Sequence, residues 1–102
     1  MTCLALFFAG AFLVNALPHL AAGLLGQGFP TPFAKPHGVG FSSPVVNFAW
    51  GSFNLATGLV LLDGHPVPEL LSPEAGALTA GFLALGFFAA RHFGRVREGK
   101  RS

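Results

Sequence analysis

Residues 43–62 read SPVVNFAWGSFNLATGLVLL. The stretch holds no charged side chain, yet it carries Asn47, Trp50, Gly51, Asn54, Thr57 and Gly58. A run of about 20 apolar residues is enough to cross a hydrocarbon core about 30 Å thick. Ser43 is a good N-cap and Pro44 suits the first helical position, so a helix begins here. The spacing places Asn47, Gly51, Asn54 and Gly58 on one face. We read the stretch as the middle of three membrane-spanning helices, the one around which the others are arranged.

Composition points to the same solvent. A soluble domain is roughly a quarter charged. This chain of 102 residues is 10% charged and 52% hydrophobic, with a mean hydropathy of +0.61. It has too little polar surface to cover a globule in water, and room for a single domain. Cys3 is the only cysteine, so no internal disulfide forms.

Upstream, residues from about 3 to 26 contain no charge. They are long enough for a first span. A secretory signal peptide is the rival reading, but it would carry Lys or Arg ahead of its apolar region, and Met1–Thr2 offers neither. A retained helix is therefore expected. Pro18 lacks an N–H, so a kink is expected near residues 14–18. Downstream, Ser72, Pro73 and Glu74 repeat the helix-start signal, and the third helix is expected over about 73–93. Arg91 and His92 would then reach back to the membrane interface.

Two loops join the spans. The first, residues 27–42 (QGFPTPFAKPHGVGFS), has prolines at 30, 32 and 36 and phenylalanines at 29, 33 and 41. It is expected to lie on the membrane surface with its rings inward and Lys35 and His37 toward water. Its prolines form no clean docking motif for a polyproline reader. The second, residues 63–71 (DGHPVPELL), carries no Lys or Arg. Five of the six Lys and Arg residues fall in the C-terminal end, at Arg91, Arg95, Arg97, Lys100 and Arg101. A basic tail over 94–102 after an apolar helix reads as a cytoplasmic flank facing anionic lipid. No recognition fold or stacking surface accompanies these charges, so nucleic acid is not an expected partner. The expected architecture is an all-α, three-helix antiparallel transmembrane bundle, N-terminus outside and C-terminus cytoplasmic.

Within the spans, Asn15 and His19 share a face with Gly23 and Gly26. Folding the chain back near residues 34–35 puts Asn15 level with Asn54, His19 level with Trp50 or Gly51, and Gly23 level with Asn47. Polar groups then meet polar groups. Asn15, His19, Asn47, Trp50 and Asn54 are thus the candidates for helix packing or ligand binding. As packing groups, amides and imidazoles hydrogen-bond across helices for about 0.6–2 kcal/mol each. As functional groups, an intramembrane His marks a pathway or a ligand site. One histidine does not supply the ligands of a haem or a metal, and His37, His65 and His92 lack metal-ligand spacing, so no cofactor is expected. No serine has base and acid partners and no carboxylates pair inside a span, so no catalysis is expected.

The third segment adds a small-residue stripe, Gly76, Ala77, Ala80, Gly81 and Ala84, able to pack on the other helices or on another subunit. Phe82, Phe87, Phe88 and Phe93 are left for lipid or a partner. The first expectation for function is a small non-catalytic accessory or scaffold subunit that docks a larger membrane complex or self-associates. The second is a small oligomeric transporter or channel with a polar path lined by Asn15, His19, Asn47 and Asn54. The Ala, Gly, Leu and Arg bias is compatible with a bacterial inner membrane.

Overall fold

The computed structural model describes residues 2–63 and 70–101. The chain runs α1 (Thr2–Leu24), β1 (Phe29–Pro30), β2 (Phe41–Ser42), α2 (Pro44–Leu62) and α3 (Pro73–Arg101). All three helices are long and apolar enough to cross a membrane.

The helix starts follow from side-chain capping. Ser43 Oγ accepts from the Val46 N–H at 3.2 Å, and Ser72 Oγ accepts from the Ala75 N–H at 3.1 Å. Each satisfies a backbone donor that the first helical turn leaves without a partner. At the end of α1, Gly26 adopts a left-handed φ of 70°. There the Gln27 N–H donates to the Ala22 carbonyl at 2.8 Å and the Gly26 N–H to the Gly23 carbonyl at 3.2 Å. This is the glycine-terminated helix stop, in which the last carbonyls find donors beyond the helix. Pro18 lies inside α1, which continues through it.

The packing hub is α1. It packs along both α2 and α3, whereas α2 and α3 barely touch each other. The span that lies in the middle of the sequence is thus on the flank of the fold, a correction to its expected place. The reason lies in small residues. Ala9, Gly10, Ala16 and Ala22 of α1 are buried, so two neighbours can approach its backbone. A Cβ on Gly58 would sit 2.7 Å from Leu13, and one on Gly51 2.8 Å from the Leu20 N. One on Gly23 would sit 2.7 Å from Phe48 Cβ, so α2 descends as α1 ascends. On the other flank, a Cβ on Gly10 would collide with the Leu78 carbonyl and one on Gly81 with the Phe7 carbonyl. Further along, Val14 lies against Gly86 and His19 against Phe93, so contacts climb with the chain and α3 runs alongside α1 in the same direction.

Two expectations change. The third helix does not stop near Phe93; it continues through the basic segment to Arg101. At 1.5 Å per residue about 20 residues cross the hydrocarbon. Hydropathy therefore marks where lipid would end, while Arg, Lys and Glu go on propagating the helix and cations suit its C-terminal dipole. The small-residue stripe is also used sparingly. Gly81 is buried, whereas Gly76, Ala80 and Ala84 are exposed.

The first loop is more structured than a surface strap. Phe29–Pro30 and Phe41–Ser42 pair antiparallel, with Phe29 opposite Ser42 and Pro30 opposite Phe41. Thr31 anchors the turn between them. Its Oγ1 accepts from the Phe33 N–H at 3.2 Å and shares a 2.5 Å hydrogen bond with Ser42 Oγ. Its carbonyl receives the N–H groups of Ala34 and Gly38. The Lys35–Pro36 peptide is cis. Phe29 turns toward His19, while Phe33 and Phe41 are 62% and 51% exposed on the outside of the chain. Lys35 and His37 are exposed, as their polarity requires. The second loop lies largely outside the described residues, and with it His65.

Candidate functional site

The polar residues of the spans converge along one seam between α1 and α2. His19, Asn47 and Asn54 are at most 2% exposed. Asn15 Nδ2 donates to Asn54 Oδ1 at 3.0 Å, pairing the two residues that the fold-back placed level. His19 pairs one turn from its expected level. Its Nδ1 lies 2.8 Å from Asn47 Oδ1, while Gly51 faces Leu20.

Backbone carbonyls set the polarity of the seam. Asn47 Nδ2 shares its two hydrogens among the carbonyl oxygens of Phe29, Ser42 and Ser43, at 3.0, 3.2 and 3.1 Å. Carbonyls only accept, so this end of the amide is the nitrogen and Oδ1 faces His19. His19 Nδ1 must then carry the proton and donate. In the same way Asn54 Nδ2 donates to the Trp50 carbonyl at 2.8 Å, which turns Asn54 Oδ1 toward Asn15. Asn47 is the junction of the molecule. One side chain ties α1, both strands of the hairpin and the first turn of α2.

Aromatic rings close around the imidazole. Phe29, Phe93 and Trp50 stand edge-on to His19, with ring centroids at 5.4, 6.2 and 6.5 Å. Phe93 was expected to face lipid or a partner; instead it packs on Phe29 at 4.6 Å. It can do so because α3 passes the open end of the seam. His92 is drawn in beside it. Its Nε2 donates to the Gly38 carbonyl of the first loop at 2.8 Å. His37 Nδ1 donates to the Pro32 carbonyl at 2.7 Å within the loop. Trp50 stacks on Phe53 at 5.5 Å and receives Phe33 edge-on at 5.1 Å. These rings, with Val46 and Ala49, line an apolar cleft of about 440 Å³.

Among the described residues every fully enclosed side-chain nitrogen or oxygen has a hydrogen-bond partner. No group of three His, Cys, Asp or Glu side chains there comes close enough to hold a metal ion. The seam offers directional bonds between helices, one imidazole and a ring of aromatics; it offers no carboxylate to exchange protons with His19.

Sequence reasoning did not single out Gly10, Thr31, Phe29 or Phe93 as parts of this arrangement. Gly10 stands beside Ala9 and one turn from Leu6 and Leu13, a small residue on a bulky face, and that contrast was its available signal. Thr31 and Phe29 owe their roles to backbone carbonyls and turns, which leave no mark in residue type. Compared with protein-family models, with curated proteins and with solved structures, the chain matches none of them.

Proposed function

We propose that this is a small non-catalytic integral membrane protein, an accessory or scaffold subunit whose third helix docks a larger membrane complex or another copy of the chain. The observation that carries the reading is how little of α3 is buried, since it packs on α1 along one side alone. Only 6% of its apolar window is buried within the chain, against 28% for α1 and 22% for α2. Phe87 and Phe88 are 74% and 63% exposed on it, beside the exposed Gly76, Ala80 and Ala84. Small residues next to large apolar ones suit close approach by another helix.

The reading places the three helices across the bilayer as an antiparallel bundle, N-terminus outside and C-terminus cytoplasmic. The contact of His92 with Gly38 supports it, because it puts Lys35 and the Arg91–Arg95–Arg97 cluster at one end of the molecule. Cations gathered at one end favour the cytoplasmic face and anionic lipid. The Ala, Gly, Leu and Arg bias is compatible with a bacterial inner membrane. A solute path through the seam is less well supported, because its amides are engaged with one another and with backbone carbonyls.

A photo-crosslinking residue at Phe87, with purification in mild detergent, tests the docking. A stoichiometric protein adduct, either a larger partner or a second copy, is expected. Adducts to lipid alone, from a monomer, would overturn the reading. In a Cys3→Ser background, cysteines introduced at Arg97 and at Leu70 test the orientation; an impermeant thiol reagent on intact cells should label only the second.

A further inference from the structure

A second groove lies away from the seam, at the basic end of α3. His92, Arg95, Val96 and Gly99 share one face of the helix, and Val39 of the first loop lines the same space, of about 520 Å³. Both walls are held in place. The bond from His92 Nε2 to the Gly38 carbonyl clamps the loop to the helix, and the imidazole stacks on Phe88 at 5.8 Å. The Val39 and Gly40 N–H groups donate to the Pro36 carbonyl at 3.0 and 2.8 Å, which fixes the turn that bears Val39. The depth of the groove follows from the transmembrane reading proposed above, on which this inference rests. About 20 residues cross the hydrocarbon, and counted from Pro73 they end near residue 92. Arg95 then lies about 4.5 Å further along, within a headgroup layer about 5–8 Å thick.

The lining is of two kinds. Arg95 brings a guanidinium, a planar fork of donors that suits a phosphate and keeps its charge. Val39 and Val96 bring apolar surface. No carboxylate lines the groove; Glu98, the nearest acid along the helix, is not part of it. An ammonium would therefore find no partner here, and Arg91, one turn from Arg95, would repel it. A small inorganic anion would use the guanidinium and leave the two valines bare. The ligand that uses both halves carries negative charge, no cation, and an apolar continuation. We infer that this groove binds the headgroup of an anionic phospholipid, its phosphate on Arg95 and its glycerol ester region against Val39 and Val96.

Native mass spectrometry in neutral detergent tests the site, with phosphatidylglycerol and phosphatidylcholine of the same acyl chains as probes. At about 0.15 M salt, charges more than about 8 Å from the bound phosphate are largely screened. Phosphatidylglycerol should bind about tenfold tighter than phosphatidylcholine, and Arg95→Gln should lower its affinity about tenfold. Arg97→Gln removes the same charge from the same helix outside the groove, and should leave the affinity nearly unchanged. Gly99→Leu, where an added Cβ meets open space, fills the groove without altering charge and should also weaken binding. Arg95 and Gly99 are exposed, so the fold does not depend on them. Equal affinity for the two lipids, or equal losses from Arg95→Gln and Arg97→Gln, would mean diffuse attraction and overturn the site. Inorganic phosphate displacing the lipid at equal concentration would overturn the lipid as its occupant. Detergent has no sides, so a reversed orientation in cells would leave these results where they are.

Discussion

Toward α2, the first helix presents Asn15 and His19, and each meets an amide whose direction is fixed by a backbone carbonyl. Toward α3 it presents Phe7 and Gly10, and what they meet is backbone and the bare face of Gly81. Both flanks are close, but for different reasons. In lipid there is no hydrophobic drive to join helices, so association rests on hydrogen bonds and on packing. Hydrogen bonds have direction and fix depth, to the residue. Packing fixes distance and tolerates a change of partner. The α1–α2 seam with its hairpin is thus the specified part of the molecule. The α3 flank is fitted by shape, with most of its surface still available.

The sharpest way to break that contrast is Gly81→Leu. A side chain here would enter the Phe7 carbonyl, and a helix backbone cannot give way as a flexible side chain can. Overpacking of this kind costs about 3 kcal/mol or more. The expected result is a lowered melting temperature in detergent with α3 detached, while the emission of Trp50 stays where it was. An unchanged melting temperature would show that the glycine contact does not hold α3. Next in size comes Asn47→Leu. It strips His19 of its acceptor and removes the side-chain bonds to the Phe29, Ser42 and Ser43 carbonyls, at a cost of about 2 kcal/mol. Here the emission of Trp50 should shift, because the hairpin and the imidazole beside it lose their anchor. If Asn47→Leu left Trp50 untouched and Gly81→Leu moved it, the two flanks would have to exchange roles.

The contrast also explains what could be read from residues alone. The three apolar helices follow from composition, and the starts at Ser43 and Ser72 follow from their hydroxyls, which cap as Ser-Pro requires. Asn15 and Asn54 could be matched because two rare polar groups in hydrocarbon have few other places to go. By contrast, Gly81 stood out as a packing residue of α3, but its partner surface at Phe7 and Gly10 did not, since a glycine shows no preference for which neighbour it admits. Thr31, the two-residue ladder and the three carbonyls on Asn47 were hidden for another reason. Backbone acceptors are identical at every position, so residue type cannot say which of them a buried amide will choose. The end of α3 was misplaced because charge ends a lipid span without ending a helix.

The smallest effect sharpens the same comparison. Asn15→Ala removes one interhelical bond, whereas Asn54→Ala also removes a side-chain bond to the Trp50 carbonyl, so the second should destabilise more. The pair can be isolated by adding Asn15→Ala/Asn54→Ala and taking the difference of differences in unfolding free energy. Interhelical hydrogen bonds in a bilayer couple by about 0.6 kcal/mol, and rarely above about 1.7 kcal/mol. A coupling in that range would assign to this bond the fixing of depth between α1 and α2. Strict additivity would mean that the two amides are neighbours only because Gly51, Gly58 and Gly23 bring the backbones together. The register would then come from packing on both flanks, and Asn47 alone would distinguish one side of α1 from the other.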